Sequence, residues 1–118
     1  MNPGSSGETS ASGHRFRLLG GRRILVDQEG FLVDPQAWSE EAALDMARER
    51  GMDTLEEVHW KIIRFLRHYY FTHGKAPLHR DIRIEMGTSL LEIEALFPGG
   101  LKTGARRLAG LPNPRGCM

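Results

Sequence analysis

The chain has 118 residues, 40% of them hydrophobic, which is enough for one small domain with its own core and too little for two. Its one cysteine excludes a disulfide framework, and no apolar run reaches the roughly 18 residues that a membrane span needs. The formal charge of +1 conceals an asymmetry: ten acids between Asp27 and Glu57 face only Arg48 and Arg50, whereas Lys102, Arg106, Arg107 and Arg115 follow Glu94 with no acidic side chain after it. Such a basic end suits an acidic partner, a nucleic acid or plain solvent.

Residues 1–20 open with Asn2 to Gly13, almost all Gly, Ser, Pro, Thr, Asn and Ala, and are expected to be a disordered polar tail. Without an apolar leader stretch the default compartment is the cytoplasm. Ile24-Leu25-Val26 and Phe31-Leu32-Val33 flank Asp27-Gln28-Glu29-Gly30, the pattern of a small β-hairpin ended by Asp34-Pro35. Ser39 as N-cap, Glu40 and Glu41 in the first turn and Gly51 as a stop predict a helix of about three turns, with Ala43, Leu44 and Ala47 on one face.

Thr54-Leu55-Glu56-Glu57 reads as a capping box opening a long helix to about His73. In it Leu55, Val58, Ile62, Leu66 and Tyr69 form an apolar stripe widened by Trp60, Ile63 and Tyr70, so the helix should be central. Gly74 and Pro77 end it. Shorter helices are expected over Leu78–Met86, Ser89–Phe97 and Leu101–Ala109. The fold class is therefore mainly α with a small N-terminal β-hairpin, a compact helical bundle with a helix-turn-helix-like part.

Five histidines and fifteen acids show no metal-ligand spacing: His68, His73 and His79 do not share a helical face, and no His-Glu-x-x-His occurs. Neither a metal nor a cofactor is expected. His59 reads as a helix-surface or cap-proximal residue, and Trp60, Tyr69 and Tyr70 read as core rather than as a base-stacking platform. Leu78–Phe97 has a helix-turn-helix outline with Arg80 and Arg83 near phosphate reach, yet its second helix carries Glu92 and Glu94 and no base-reading side chain. Direct nucleic-acid binding is not expected.

The group with intrinsic nucleophilic power is Cys117, in Gly110-Leu111-Pro112-Asn113-Pro114-Arg115-Gly116-Cys117-Met118. Residues 110–118 are expected to be a flexible C-terminal arm on a 21–109 domain. Pro112 and Pro114 bias its backbone toward an extended form that reaches about 25 Å from Gly110, and Gly116 slims its tip. Arg115 is a candidate electrostatic helper of the thiolate. Activation is expected from a partner's pocket, because charges within the arm nearly cancel.

Three ordered blocks carry a resemblance: Gly30-Phe31-Leu32 with Trp38; His59-Trp60-x-x-Ile63-x-x-Leu66-Arg67-x-Tyr69-Tyr70; and Ala109-Gly110-Leu111-Pro112-x-Pro114-x-Gly116-Cys117. Over about Leu25 to Met118 the chain resembles the DsrC/TusE family of small sulfur carriers, the sulfite reductase gamma-subunit-like proteins. The resemblance implies that Cys117 accepts sulfane sulfur as a persulfide and relays it, with Gly110, Pro112, Pro114 and Gly116 as arm geometry. It implies as partners a sulfur-donor relay complex and an acceptor, either a tRNA 2-thiouridylase-like enzyme acting on the wobble uridine or a sulfite reductase-like one. In the sulfite-reductase branch a second cysteine lies eleven positions earlier, where this chain has Arg106, so the tRNA-thiolation role is the expected one. Arg67 is expected either in an ion pair tying the central helix to a neighbour or in arm docking.

Overall fold

The computed structural model of the chain describes residues 13–113. Its first element is an antiparallel hairpin of β1 (Arg15–Leu19) and β2 (Arg22–Val26), with Leu19 opposite Arg22 and Arg15 opposite Val26. Gly20 and Gly21 both have positive φ, as a two-residue hairpin turn matched to strand twist requires. This corrects two expectations: residues 15–19 are a strand rather than part of a disordered tail, and β2 pairs with them rather than with Phe31–Val33. The turn at Asp27 does form, but Phe31 and Leu32 both enter the core, so that segment loses strand alternation and keeps one bridge, Val26 to Leu32.

Helix α1 (Glu40–Glu49) begins at Ser39, whose hydroxyl accepts the Ala42 N–H at 3.0 Å. It ends in a Schellman arrangement, with Gly51 N–H donating to Arg48 and Met52 N–H to Ala47. Ala42, Ala43, Met46 and Ala47 are buried, whereas Leu44 is only half-buried. Helix α2 (Glu57–His73) starts later than the Thr54 capping box predicts. Glu56 is the N-cap, because the His59 ring takes the reciprocal role: its Nδ1 accepts the Glu56 N–H at 3.0 Å. That leaves the proton on Nε2, which donates to the Leu96 carbonyl at 3.1 Å, while the ring meets Phe97 edge to face. His59 is thus cap-proximal, one of its two expected placements, and is a buried strut between two helices rather than a helix-surface residue.

Gly74 closes α2, and α3 (His79–Met86) and α4 (Leu90–Leu96) follow as the helix-turn-helix-like pair, the latter opened by a capping box of Ser89 and Glu92. The expected helix over Leu101–Ala109 is instead a π-helical turn (Gly100–Ala105) running into the one-turn α5 (Arg106–Leu108). Ile62, Ile63 and Leu66 of α2 lie at the centre, met by Leu19, Ile24 and Val26 of the hairpin, Met46 of α1, Ile82 of α3, Ile93 and Phe97 of the α4 region, and Leu108. Trp60 and Tyr70 pack against this core. Tyr69 is a half-buried exception: its ring lies 4.1 Å from His73 and its hydroxyl reaches Asp81 at 3.5 Å. No helix among the described residues is long and apolar enough to cross a membrane.

Leu66 has no exposed surface, so Leu66→Ala should cost about 2–5 kcal/mol of unfolding free energy in urea titrations. The 78% exposed Leu91 should tolerate alanine within about 0.5 kcal/mol in the same assay.

Candidate functional site

Of the residues singled out in the arm, Pro114, Arg115, Gly116 and Cys117 lie outside the described residues, whereas Gly110 and Pro112 lie within them. What the structure describes is the root that carries the chain toward the thiol. Helix α5 ends at Leu108, and the last carbonyls of a helix have no intrahelical donor. Two side chains from distant segments supply one: Trp38 Nε1 donates to the Leu108 carbonyl at 2.7 Å, and Arg67 Nη1 to that of Ala109 at 2.9 Å.

Arg67 Nη1 also donates to the Pro35 carbonyl at 3.1 Å, in the 3₁₀ turn Pro35–Ala37. Its guanidinium carbon lies 4.2 Å from the Trp38 ring centre and 5.1 Å from that of Phe71. Burial pushes the Arg67 pKa below its ordinary value. The sequence left Arg67 between an ion pair and arm docking; it binds carbonyls at the base of the arm.

Gly110 and Leu111 complete a second Schellman arrangement, donating to the carbonyls of Arg107 at 3.0 Å and Arg106 at 3.2 Å. Gly110 has φ +74, and a Cβ there would fall 2.4 Å from Trp38 Cδ1, so the position admits glycine alone. Leu111 is fully buried. The arm expected to leave the body at Gly110 therefore stays within it through Leu111.

A further anchor lies two residues on. The Asn113 side-chain amide donates to Asp27 Oδ2 at 3.0 Å, while Asp27 Oδ1 accepts the N–H groups of Glu29 at 2.9 Å and Phe31 at 3.0 Å. Burial alone would raise the Asp27 pKa; the hydrogen bonds from Asn113 and from the backbone of Phe31, Glu29 and Gly30 outweigh it, and the net shift is downward. Beside this turn the Arg107 guanidinium covers the Phe31 ring at 5.0 Å.

Next to the root is a pocket of about 280 Å³. Tyr70, Gly74, Lys75, Ala76 and Leu78 form one wall, and Arg106, Leu111, Pro112 and Asn113 the other. Arg106 is held in place by donating from Nη2 to the Pro77 carbonyl at 2.9 Å. Among the described residues no three His, Cys, Asp or Glu side chains gather as metal ligands. Arg80 and Arg83 are exposed on α3. Sequence reasoning missed Asp27 and Asn113 as a pair: Asp27 is legible as a turn residue, but nothing local links it to a residue 86 positions away.

Residues 18–118 match the model of the DsrC-like protein family. The gamma subunit of the dissimilatory-type sulfite reductase of Nitratidesulfovibrio vulgaris is 38% identical, over 83% of this chain and 93% of the relative. A protein named sulfurtransferase TusE from Pectobacterium atrosepticum is 35% identical, over 83% of this chain and 95% of its own length. Among solved structures, dissimilatory sulfite reductase I (DsrI) superposes with a TM-score of 0.80 at 37% identity, covering 87% of this chain and 99% of the other.

Because the Asp27 pKa is depressed in the fold, its contribution should be fully present above the ordinary carboxylate value of 3.8 and lost as pH falls through the lower folded value. Thermal melts from pH 6 downward should show Asp27→Asn flatter than wild type over that acid range. Arg67→Lys cannot reproduce the two carbonyl contacts and the ring stack together, so amide exchange at Gly110 and Leu111 should speed up.

Proposed function

The chain belongs to the DsrC-like family, and from that premise we propose that it is a sulfur carrier whose Cys117 holds sulfane sulfur as a persulfide. The thiolate of Cys117 attacks the outer sulfur of a donor persulfide; a new S–S bond forms, the bond to the donor cysteine breaks, and the donor leaves as a thiolate. Delivery is the same exchange in reverse roles, with an acceptor cysteine as nucleophile. The sulfane sulfur changes hands without net oxidation, so one thiol per protein suffices and no cofactor is needed.

The observation that supports this reading is the chain's one thiol, placed four residues beyond a root fixed by Trp38, Arg67, buried Leu111 and the Asn113 to Asp27 bond. Anchorage at Asn113 shortens the reach: Cys117 Cα can stand at most about 14 Å from Asn113 Cα, rather than about 25 Å from Gly110. Gly116 and the prolines Pro112 and Pro114 limit what the arm loses in conformational entropy on entering a partner, and Arg115 favours the anionic sulfur.

Arg106 favours the tRNA-thiolation role over service to a sulfite reductase. A protein with one cysteine cannot close an internal disulfide or trisulfide, and two cysteines would be needed for that chemistry. The partners are then a donor relay complex and a tRNA 2-thiouridylase-like acceptor in the cytoplasm, where reducing conditions keep a lone thiol free.

Incubation with a persulfide donor should add one sulfur atom to the intact mass, and Cys117→Ser should abolish the adduct. An adduct that survives the substitution would overturn the assignment. In a strain lacking this protein, wobble 2-thiouridine should fall; normal levels would exclude the thiolation role and leave the sulfite-reductase one.

A further inference from the structure

We propose that the pocket beside the arm root is a docking socket for a sulfur-exchange partner, and that it seats a peptide segment in which one apolar side chain stands next to a carboxylate. The inference rests on Cys117 exchanging sulfane sulfur, and it adds the partner chemistry that the body recognises.

The sign of the charge is set first by the sequence. Residues 58–80 contain Lys61, Arg64, Arg67, Lys75 and Arg80 and no acidic side chain. None of the nine wall residues is acidic, and two, Lys75 and Arg106, are cationic. Asp81, the first acid to follow, is engaged at the start of α3, where it accepts the Leu78 N–H at 3.0 Å. A carboxylate entering the pocket therefore meets two opposite charges and no like charge in its wall. Arg106 donates from Nη2 to the Pro77 carbonyl at 2.9 Å, so its guanidinium is positioned before any partner arrives and loses little freedom on binding.

Tyr70, Ala76 and the fully buried Leu111 supply apolar wall beside these cations, and Leu78 leaves 57% of its surface exposed. Covering that leucine is a gain only an apolar group can make. At about 280 Å³ the space equals about nine water molecules at about 30 Å³ each, room for one large apolar side chain. A nucleic acid would satisfy the two cations and leave the apolar wall unmatched, whereas a wholly apolar segment would bury the cations without a counter-charge. A mixed segment answers both. Pro112 and Asn113 are themselves wall, and Asn113 is bonded to Asp27, so a segment seated here stands beside the stretch of chain that leads to Cys117.

To test this, titrate the full-length Cys117→Ser chain, which excludes disulfide exchange, with a blocked Asp-Phe-Asp tripeptide and follow the amide resonances. Lys75, Ala76, Leu78 and Leu111 should shift to saturation. Lys75→Gln and Arg106→Gln should each weaken binding at least about threefold, while Arg80→Gln, outside the wall, should stay within about twofold of the parent. Leu78→Trp, which fills the pocket, should abolish the shifts, and an amide spectrum unchanged away from the pocket reports that each variant folds. The proposal is overturned by an absence of shifts, or by equal affinity for peptides with lysine replacing the aspartates or alanine replacing the phenylalanine. Binding seen only after deletion of residues 114–118 also overturns it, because the pocket would then belong to the chain's own end, as does displacement of the tripeptide by a single-stranded oligonucleotide. Sulfur loading of the unsubstituted chain is scored separately by intact mass: loading without tripeptide binding refutes this inference alone, and tripeptide binding without loading refutes the carrier reading alone.

Discussion

The root of the arm depends on how the carbonyls at the end of α5 are satisfied. A three-residue helix ending inside the fold presents acceptors that cost about 1–3 kcal/mol each when left unpaired. Trp38 and Arg67 meet that demand from segments 70 and 42 residues away, and the donors are matched to the place. Arginine keeps its charge under burial, so its bonds to Pro35 and Ala109 remain charge-assisted, and the Trp38 face offsets part of the lost hydration. One side chain thereby joins the central helix, the turn before α1 and the base of the arm. Gly110 belongs to the same device, since Trp38 occupies the space that any side chain there would need.

What could be read from the sequence was what local chemistry decides. Ser39 with Glu40 and Glu41, Gly51 and Gly74 act within one turn of themselves, so these helix ends were legible. The wide apolar stripe correctly made α2 the centre, because Ile62, Ile63 and Leu66 sit where a 3.6-residue period puts them. Strand β1 escaped because its inward face carries Arg15 and Arg17 before Leu19, while Phe16 and Leu18 point outward. Arg17 pairs with Glu49 on α1, a contact that no alternation rule anticipates.

The start of α2 shows the limit from the other side. Thr54 and Glu57 satisfy the spacing of a capping box, yet Glu56 and His59 form the actual one. Tertiary packing chose between them: His59 in register can also reach the Leu96 carbonyl and the Phe97 ring, which a helix begun at Thr54 offers nothing to replace. The site divides in the same way. Cys117 is proposed from its type and solitude alone, whereas the clamp of Trp38 and Arg67 and the bond from Asn113 to Asp27 exist only after folding.

That division bears on how such a carrier can be specific. On the proposal that Cys117 bears the sulfur, four residues of chain keep it within about 14 Å of the Asn113 Cα. On the same proposal a donor or acceptor brings its own cysteine close to the α2–α3 junction and the arm root, so the body takes part in the encounter. Lys75 and the 57% exposed Leu78 lie at that junction. A folded surface beside the root can then contribute to selectivity, with the ordering of the root already met by its anchors. Because Trp38, Arg67 and the Asn113 to Asp27 bond hold the chain to the body as far as Asn113, the last described residue is fixed beside the α2–α3 junction, and that placement exists only in the folded chain.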